Sequence, residues 1–251
     1  MRNAIILAGS VIKELVRRKD FYLIFALLLV IIFYAAGISF GGEKGFERYF
    51  REVGISFAYI FSVIIAVVFA SRQIPQEIET KTIYPILAHP VSRGEFILGK
   101  FLGALSISVI SWTLFYGTII AAFFLRGDFL SPPAPHAVSW AGPALLLEGY
   151  ILHICLLSFF VSLSILLSLY LSAAANVGIS LIVYFATNWF GAGLPAYIFL
   201  PHPELFDIKE KIIHTWDAVP SWAFFFLIIY ACVYTGIFIL ASYAGFKRRN
   251  L

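Results

Sequence analysis

Hydrophobic positions along this chain gather into six long runs: Phe21 to Phe40, Val53 to Ser71, Phe101 to Leu125, Gly149 to Ala175, Val177 to Leu200 and Val219 to Ala244. None contains Asp, Glu, Lys or Arg. At 1.5 Å per residue, each is long enough as a helix to cross a hydrocarbon core of about 30 Å. Lipid offers a backbone no hydrogen bonds, so a spanning segment must be a helix or part of a closed barrel. Barrel strands would alternate over about ten residues, and these runs do not. The pattern therefore predicts one all-α polytopic membrane domain over residues 1–251 with six transmembrane helices.

The remaining segments are short. In residues 1–20, Ile5, Ala8, Ile12, Leu15 and Val16 share one helical face while Lys13, Glu14, Arg17 and Arg18 lie elsewhere, which predicts an N-terminal interfacial helix. A cleaved signal peptide is the competing reading. Phe21 to Phe40 is longer than an ordinary h-region and no cleavage site follows it, so retention is expected. Gly41 to Glu52 alternates acids and bases at helical spacing, as a solvated helix cap does. Arg126 to Glu148 contains Pro132, Pro133, Pro135 and Pro143 and should be extended. Ser172 to Asn176 would be the tip of a helical hairpin and a possible second contact for a partner. Pro201 to Pro220 predicts a short amphipathic helix on the outer surface. Gly191, Gly193 and Pro195 allow either a re-entrant turn or an ordinary span end.

Composition agrees with a lipid solvent: of 251 residues, 61% are hydrophobic and 13% charged. Charge then sets orientation. With both termini on one side, that side collects 12 of the 18 Lys and Arg residues, and the other side 6. With five acidic residues on the first side and nine on the second, the net charges are +7 and −3. The richer side is cytoplasmic by the positive-inside rule, which places both termini and the segment Glu77 to Lys100 there, in a cell membrane. Its basic balance suits anionic membrane lipid, and no groove or motif for nucleic acid is present. Cys155 and Cys232 both fall inside spans, where they act as small apolar residues.

Most candidate chemistry weakens on inspection. Gly94 to Lys100 spells the first seven positions of a phosphate-binding loop, but Phe101 stands where a hydroxyl should hold magnesium. The string is also fused to a span, so ATP binding by this chain is not expected. His136, His202 and His214 with Asp128, Glu204 and Asp207 match no metal-site spacing, and Gly178-Ile179-Ser180 lacks a nucleophile elbow. Gly99 and Gly103, and Ser164, Ser168 and Ser172, repeat small residues every four positions. Such stripes serve either packing within one subunit or a dimer interface. His153 and Asn188 are polar positions within spans and possible members of a substrate path. The simpler reading of His153 is an interfacial histidine bonded to water or to Glu148, about a turn away.

The segment from Glu77 to Lys100 is long for a connection between spans and rich in charge, which suggests a docking element. It resembles the loop after the second span in permease subunits of the ABC-2 family of ATP-binding cassette transporters. Glu77, Glu79, Thr82, Pro90, Ser92, Arg93, Glu95 and Lys100 occupy the places of that pattern, roughly Glu-x-Glu-x-Gly-Thr, an apolar turn, Pro-x-Ser-Arg and a Lys opening the third span. Lys81 replaces the usual Gly, and Pro85 interrupts the expected helix. The six-span plan and amphipathic N-terminus match as well, with the copper-related NosY subunit as the nearest type. The resemblance implies a cytoplasmic coupling helix between spans 2 and 3. Ile83, Ile86 and Leu87 would lie in a groove on a separate ATPase, with Glu77, Glu79, Thr82, Arg93 and Glu95 completing the contact. It further implies a homodimer bound to two ABC ATPase subunits that hold ATP and Mg, with no cofactor on this chain, and transport as an exporter. The competing function is a non-transporting membrane anchor or sensor partner of an ATPase. Secondary transport is disfavoured because the spans hold no ionised residue for a coupling ion.

Overall fold

The structure, a computed structural model, describes residues 9, 22–23, 25–27, 29–31, 46–79, 92–126, 142–190, 201–214 and 217–248. Helix accounts for 92% of these residues, and no strand occurs among them. The long helices are α1 (Phe46–Glu79), α2 (Arg93–Arg126), α3 (Gly142–Ser168), α4 (Ala173–Phe190) and α6 (Ser221–Arg248). A 3₁₀ turn (Pro203–Phe206) and a short α5 (Lys209–His214) precede α6. Among the described residues, four helical stretches are long and apolar enough to cross a membrane: Glu52–Glu79, Arg93–Ala121, Ala144–Ser168 and Ser221–Arg248. They fall on the second, third, fourth and sixth apolar runs. The first run is described only at scattered residues. α4 covers the described part of the fifth, whose residues 191–200 lie outside. The interfacial helix expected in residues 1–20 also lies outside, Gly9 excepted.

The helices outrun the apolar windows that predict them. α1 and α2 each have 34 residues, about 51 Å at 1.5 Å per residue, so both continue past the first charged position. Helix formation needs backbone pairing and not apolarity, and charged side chains beyond the hydrocarbon simply face water or one another. Pro75 sits within α1, where it removes the donor to the carbonyl of Ser71. Gly142 to Glu148, expected to be extended, is the first part of α3. Pro143 occupies its first turn, where a missing N–H costs nothing.

α1 and α3 form the hub: 61% of the apolar window of each is buried inside the protein, against 11% for α6. α3 touches α1, α2, α4, α6, α5 and the 3₁₀ turn. Interlocking rings and aliphatic side chains fill the space between these helices. Tyr59 of α1 meets Trp112 of α2 edge to face at 5.0 Å, and Phe160 of α3 meets Tyr184 of α4 at 5.7 Å. From the first apolar run, Phe25 stacks on Phe115 of α2 at 5.7 Å.

Serine hydroxyls in α2 are satisfied inside the helix, with Ser108 donating to the carbonyl of Ala104 and Ser111 to that of Ile107 at 2.8 Å each, whereas the Tyr116 hydroxyl crosses to the carbonyl of Leu146 in α3 at 2.9 Å. The small-residue stripes pack within the subunit: Gly99 and Gly103 are buried, and so are Ser164 and Ser168. The α3–α4 turn differs from expectation, running through Leu169 to Ser172. Ser172 caps α4, its Oγ accepting from the amide of Ala175 at 3.4 Å. Asn176 is therefore not at an exposed tip. Its Nδ2 donates to the carbonyl of Ser164 at 2.7 Å, and its Oδ1 accepts from Ser180 at 3.2 Å.

Opposite this turn, the segment before α6 is more than a surface helix. Phe206, Ile212 and Ile213 are buried, and the amide of Val219 donates to Glu148 Oε2 at 2.8 Å. α5 seats against α1 and α3 because Gly149 leaves room for it: a Cβ there would collide with the Ile212 side chain. Gly149→Val should therefore cost about 1–3 kcal/mol of stability by overpacking. Thermal unfolding in detergent should show a smaller penalty for the same change in an Ile212→Ala background. Equal penalties in the two backgrounds would show that the contact is not the cause.

Candidate functional site

The connection at residues 80–91 lies outside the described residues, and with it Thr82, Ile83, Ile86, Leu87, Lys81 and Pro85. Its two mounts are described in detail. α1 delivers Glu77 and, as its last residue, the exposed Glu79; α2 begins at Arg93 and brings Glu95 and Lys100. The string from Gly94 to Lys100 is thus helical, not a loop that wraps a phosphate.

Lys100 Nζ pairs with Glu77 Oε1 across the two helices, with the lysine side chain 6% exposed and the glutamate 18%. The ammonium also lies 5.8 Å from the centre of the Phe96 ring. An ammonium so nearly buried needs a carboxylate to offset its lost hydration, and the pair ties the end of α1 to the start of α2.

Ser92 and Glu95 form a reciprocal cap. The amide of Glu95 donates to Ser92 Oγ at 3.2 Å, and Glu95 Oε2 accepts from the amide of Ser92 at 3.3 Å. Two amides without helical acceptors are satisfied in this way, and the carboxylate also faces the positive end of the helix dipole. Arg93 turns the other way, donating from Nη1 to the carbonyls of Lys247 at 2.7 Å and Phe246 at 3.3 Å at the end of α6. Glu77, Arg93 and Glu95, expected to contact a partner, thus each hold one end of this frame; Glu79 projects from it.

His153 corrects its simpler reading. It is fully buried between Tyr59 and Trp112, with ring centres 4.2 and 4.0 Å away. Its Nε2 lies 2.6 Å from Ser62 Oγ, not near Glu148, whose Oε2 is taken by Val219. Ser62 donates its one proton to the carbonyl of Tyr59 at 2.8 Å, so the network assigns the His153 proton to Nε2. His153 Nδ1 and the Tyr59 hydroxyl are then left buried without partners. Asn188 sits half-buried in α4 and donates to the carbonyl of Tyr184, one turn earlier, at 2.9 Å.

The other histidines are engaged locally: His202 with Glu204 at 3.1 Å, and His214 with Glu210 at 3.3 Å. Among the described residues, no three of His, Cys, Asp and Glu gather as metal ligands would. His136 and Asp128 lie outside them.

A family model for ABC-2 family transporter proteins matches residues 6–251, nearly the entire chain. The chain belongs to the ABC-2 transporter family. Comparison with curated proteins returns no match. As an ABC-2 transporter, it is a multi-pass membrane permease component that is not itself catalytic, and the family implies pairing with an ABC ATPase subunit.

Three contacts in this ABC-2 transporter were not read from sequence, the Ser92–Glu95 cap, the Glu77–Lys100 pair and the Arg93–Phe246 grip, and the first two had legible signals. Ser92-Arg-Gly-Glu95 spells a capping box. Lys100 is a lone cation at the edge of an apolar run, which calls for a nearby carboxylate. Phe246, an aromatic just past the end of the sixth apolar run, gave no such sign. Glu77→Leu should cost about 3–5 kcal/mol by leaving the Lys100 ammonium without its carboxylate, and adding Lys100→Met should recover most of it. Unfolding of the single and double variants in detergent measures both. A double variant no more stable than the single would show that the pair does not set the packing.

Proposed function

We propose that this chain is the membrane-spanning subunit of an ATP-binding cassette exporter, driven through residues 80–91 by a separate ATPase. The observation that supports the reading is the mounting of that connection. It joins the two longest helices, whose ends are tied by Glu77–Lys100 and closed by the Ser92–Glu95 cap. Displacement of a short element between two braced helices moves both helices, whereas a slack loop would absorb it. Ile83, Ile86 and Leu87 form the apolar side of the coupling helix in this reading, with Thr82 beside them and Glu79 as the rim charge.

The complete assembly is a homodimer of six-span subunits in the cell membrane, with termini on the cytoplasmic side. Two ATPase subunits bind ATP and Mg, and membrane lipid surrounds the spans. Export and the NosY-type assignment rest on the sequence resemblance. The substrate path passes His153 and Asn188. In the packed state, His153 Nδ1 and the Tyr59 hydroxyl lack partners, and parting of α1 from α3 would let water or substrate supply them.

Co-purification with a co-expressed ABC ATPase subunit, followed by its rate of ATP hydrolysis, tests the coupling. Glu79→Lys should weaken association roughly tenfold, about 1.4 kcal/mol, and Ile83→Asp with Leu87→Asp should abolish stimulation. Unchanged binding and stimulation in both variants would refute the assignment. ATP-dependent flux in vesicles separates a permease from an anchor: flux is expected, and its absence across a broad substrate panel favours the anchor. His153→Phe fills similar space without the orphaned nitrogen, so it should raise the melting temperature while lowering flux. Flux at the native level would remove His153 from the path.

A further inference from the structure

The start of α2 is fastened to the end of α6 by contacts that converge on Phe246. The Phe246 ring is fully buried and stacks on the equally buried Phe96, with centres 5.3 Å apart and planes 18° from parallel. The Arg93 guanidinium lies 6.0 Å from the centre of the Phe246 ring. Its Nη1 donates to the carbonyls of Phe246 and Lys247. These belong to the last turn of α6, where carbonyls have no helical donor and the dipole is negative. Gly94 faces the Tyr243 ring of α6, which lies within ordinary van der Waals reach of a Cβ at that position.

Arg93 is the second described residue after the connection at 80–91, and from it α2 runs as one helix of 34 residues. Any displacement entering α2 from the connection reaches Arg93 within its first turn. α6 is the least enclosed of the candidate spans, held along its length chiefly by α3 and joined to α2 at this end. A least-enclosed helix gripped at one end is suited to being moved from that end.

We propose that Arg93 and Phe246 link the connection mechanically to α6, making Arg93 a positioning residue for energy coupling and not a contact for the ATPase. The inference rests on the coupling role proposed above. It adds the output: α6 moves with the start of α2 when the ATPase displaces residues 80–91.

The exposed Cys232 of α6 permits a direct test. In a Cys155→Ser background, an environment-sensitive fluorophore is attached to Cys232 and the chain is reconstituted in nanodiscs with the ATPase that co-purifies with it. MgATP should change the emission. Arg93→Ala should reduce that change at least fivefold while ATPase co-purification stays at the wild-type level. Arg93→Lys, which keeps a cation for the carbonyls, should restore part of it. Phe246→Leu, which retains apolar bulk without the ring, should reduce it independently of any effect of Arg93 on folding. A full emission change in both Arg93→Ala and Phe246→Leu overturns the link. So does a wild-type complex that binds the ATPase but shows no response at Cys232. A wild-type chain that binds no ATPase overturns the coupling role itself, and the link with it.

Discussion

A cation at the edge of a hydrocarbon layer must find its opposite charge within reach, and for Lys100 that opposite is Glu77. Everything at this end of the molecule follows from the bond between them. It fixes where α1 stops relative to where α2 starts, and so sets the span that residues 80–91 must bridge. The Ser92–Glu95 cap opens α2 about two turns before Lys100, and Arg93 grips α6 beside it. The charges in this frame are largely spent inside the subunit. Among the described residues, Glu79 at the end of α1 remains exposed.

Through the membrane, a different economy operates. With no water to satisfy polar groups, serine hydroxyls of α2 bond back to their own helix, Tyr116 donates across to α3, and Asn176 stitches α3 to α4. Aliphatic side chains and aromatic rings supply the remaining contact between α1, α2 and α3. The exception is the cluster of Tyr59, Ser62, Trp112 and His153, where two buried polar atoms are left without partners. Such atoms cost about 1–3 kcal/mol each, so the packed state carries a polar penalty where α1, α2 and α3 meet. The opposite end is closed by α5 and the 3₁₀ turn, which place Phe206, Ile212 and Ile213 inside the bundle.

Much of this was legible in the sequence because the lipid constraint is strict. Apolar runs free of charge fell on the four helices able to cross a membrane, and the family resemblance read from the Glu77 to Lys100 pattern agrees with the matching family model. Helix ends were less legible. α1 extends to Glu79 and α3 begins at Gly142 because backbone pairing continues after apolarity ends. Asn176 and His153 were misplaced for a shared reason. A polar residue near the edge of an apolar run looks interfacial, yet either one can be buried when a partner such as Ser164 or Ser62 faces it from another element. Those partners depend on which helices touch, which periodicity within one helix does not specify. The grip of Arg93 on α6 joins residues more than 150 positions apart and was equally hidden.

The central claim is that residues 80–91 receive force from an ATPase and pass it to the braced helix ends. Hydrogen–deuterium exchange on the chain in nanodiscs, with and without the nucleotide-loaded ATPase, tests this most directly. The account predicts slower exchange in residues 80–91 on ATPase binding, with a smaller change at the adjoining ends of α1, α2 and α6. Unaltered exchange in 80–91, with protection confined to residues 201–219 at the far end, would contradict it.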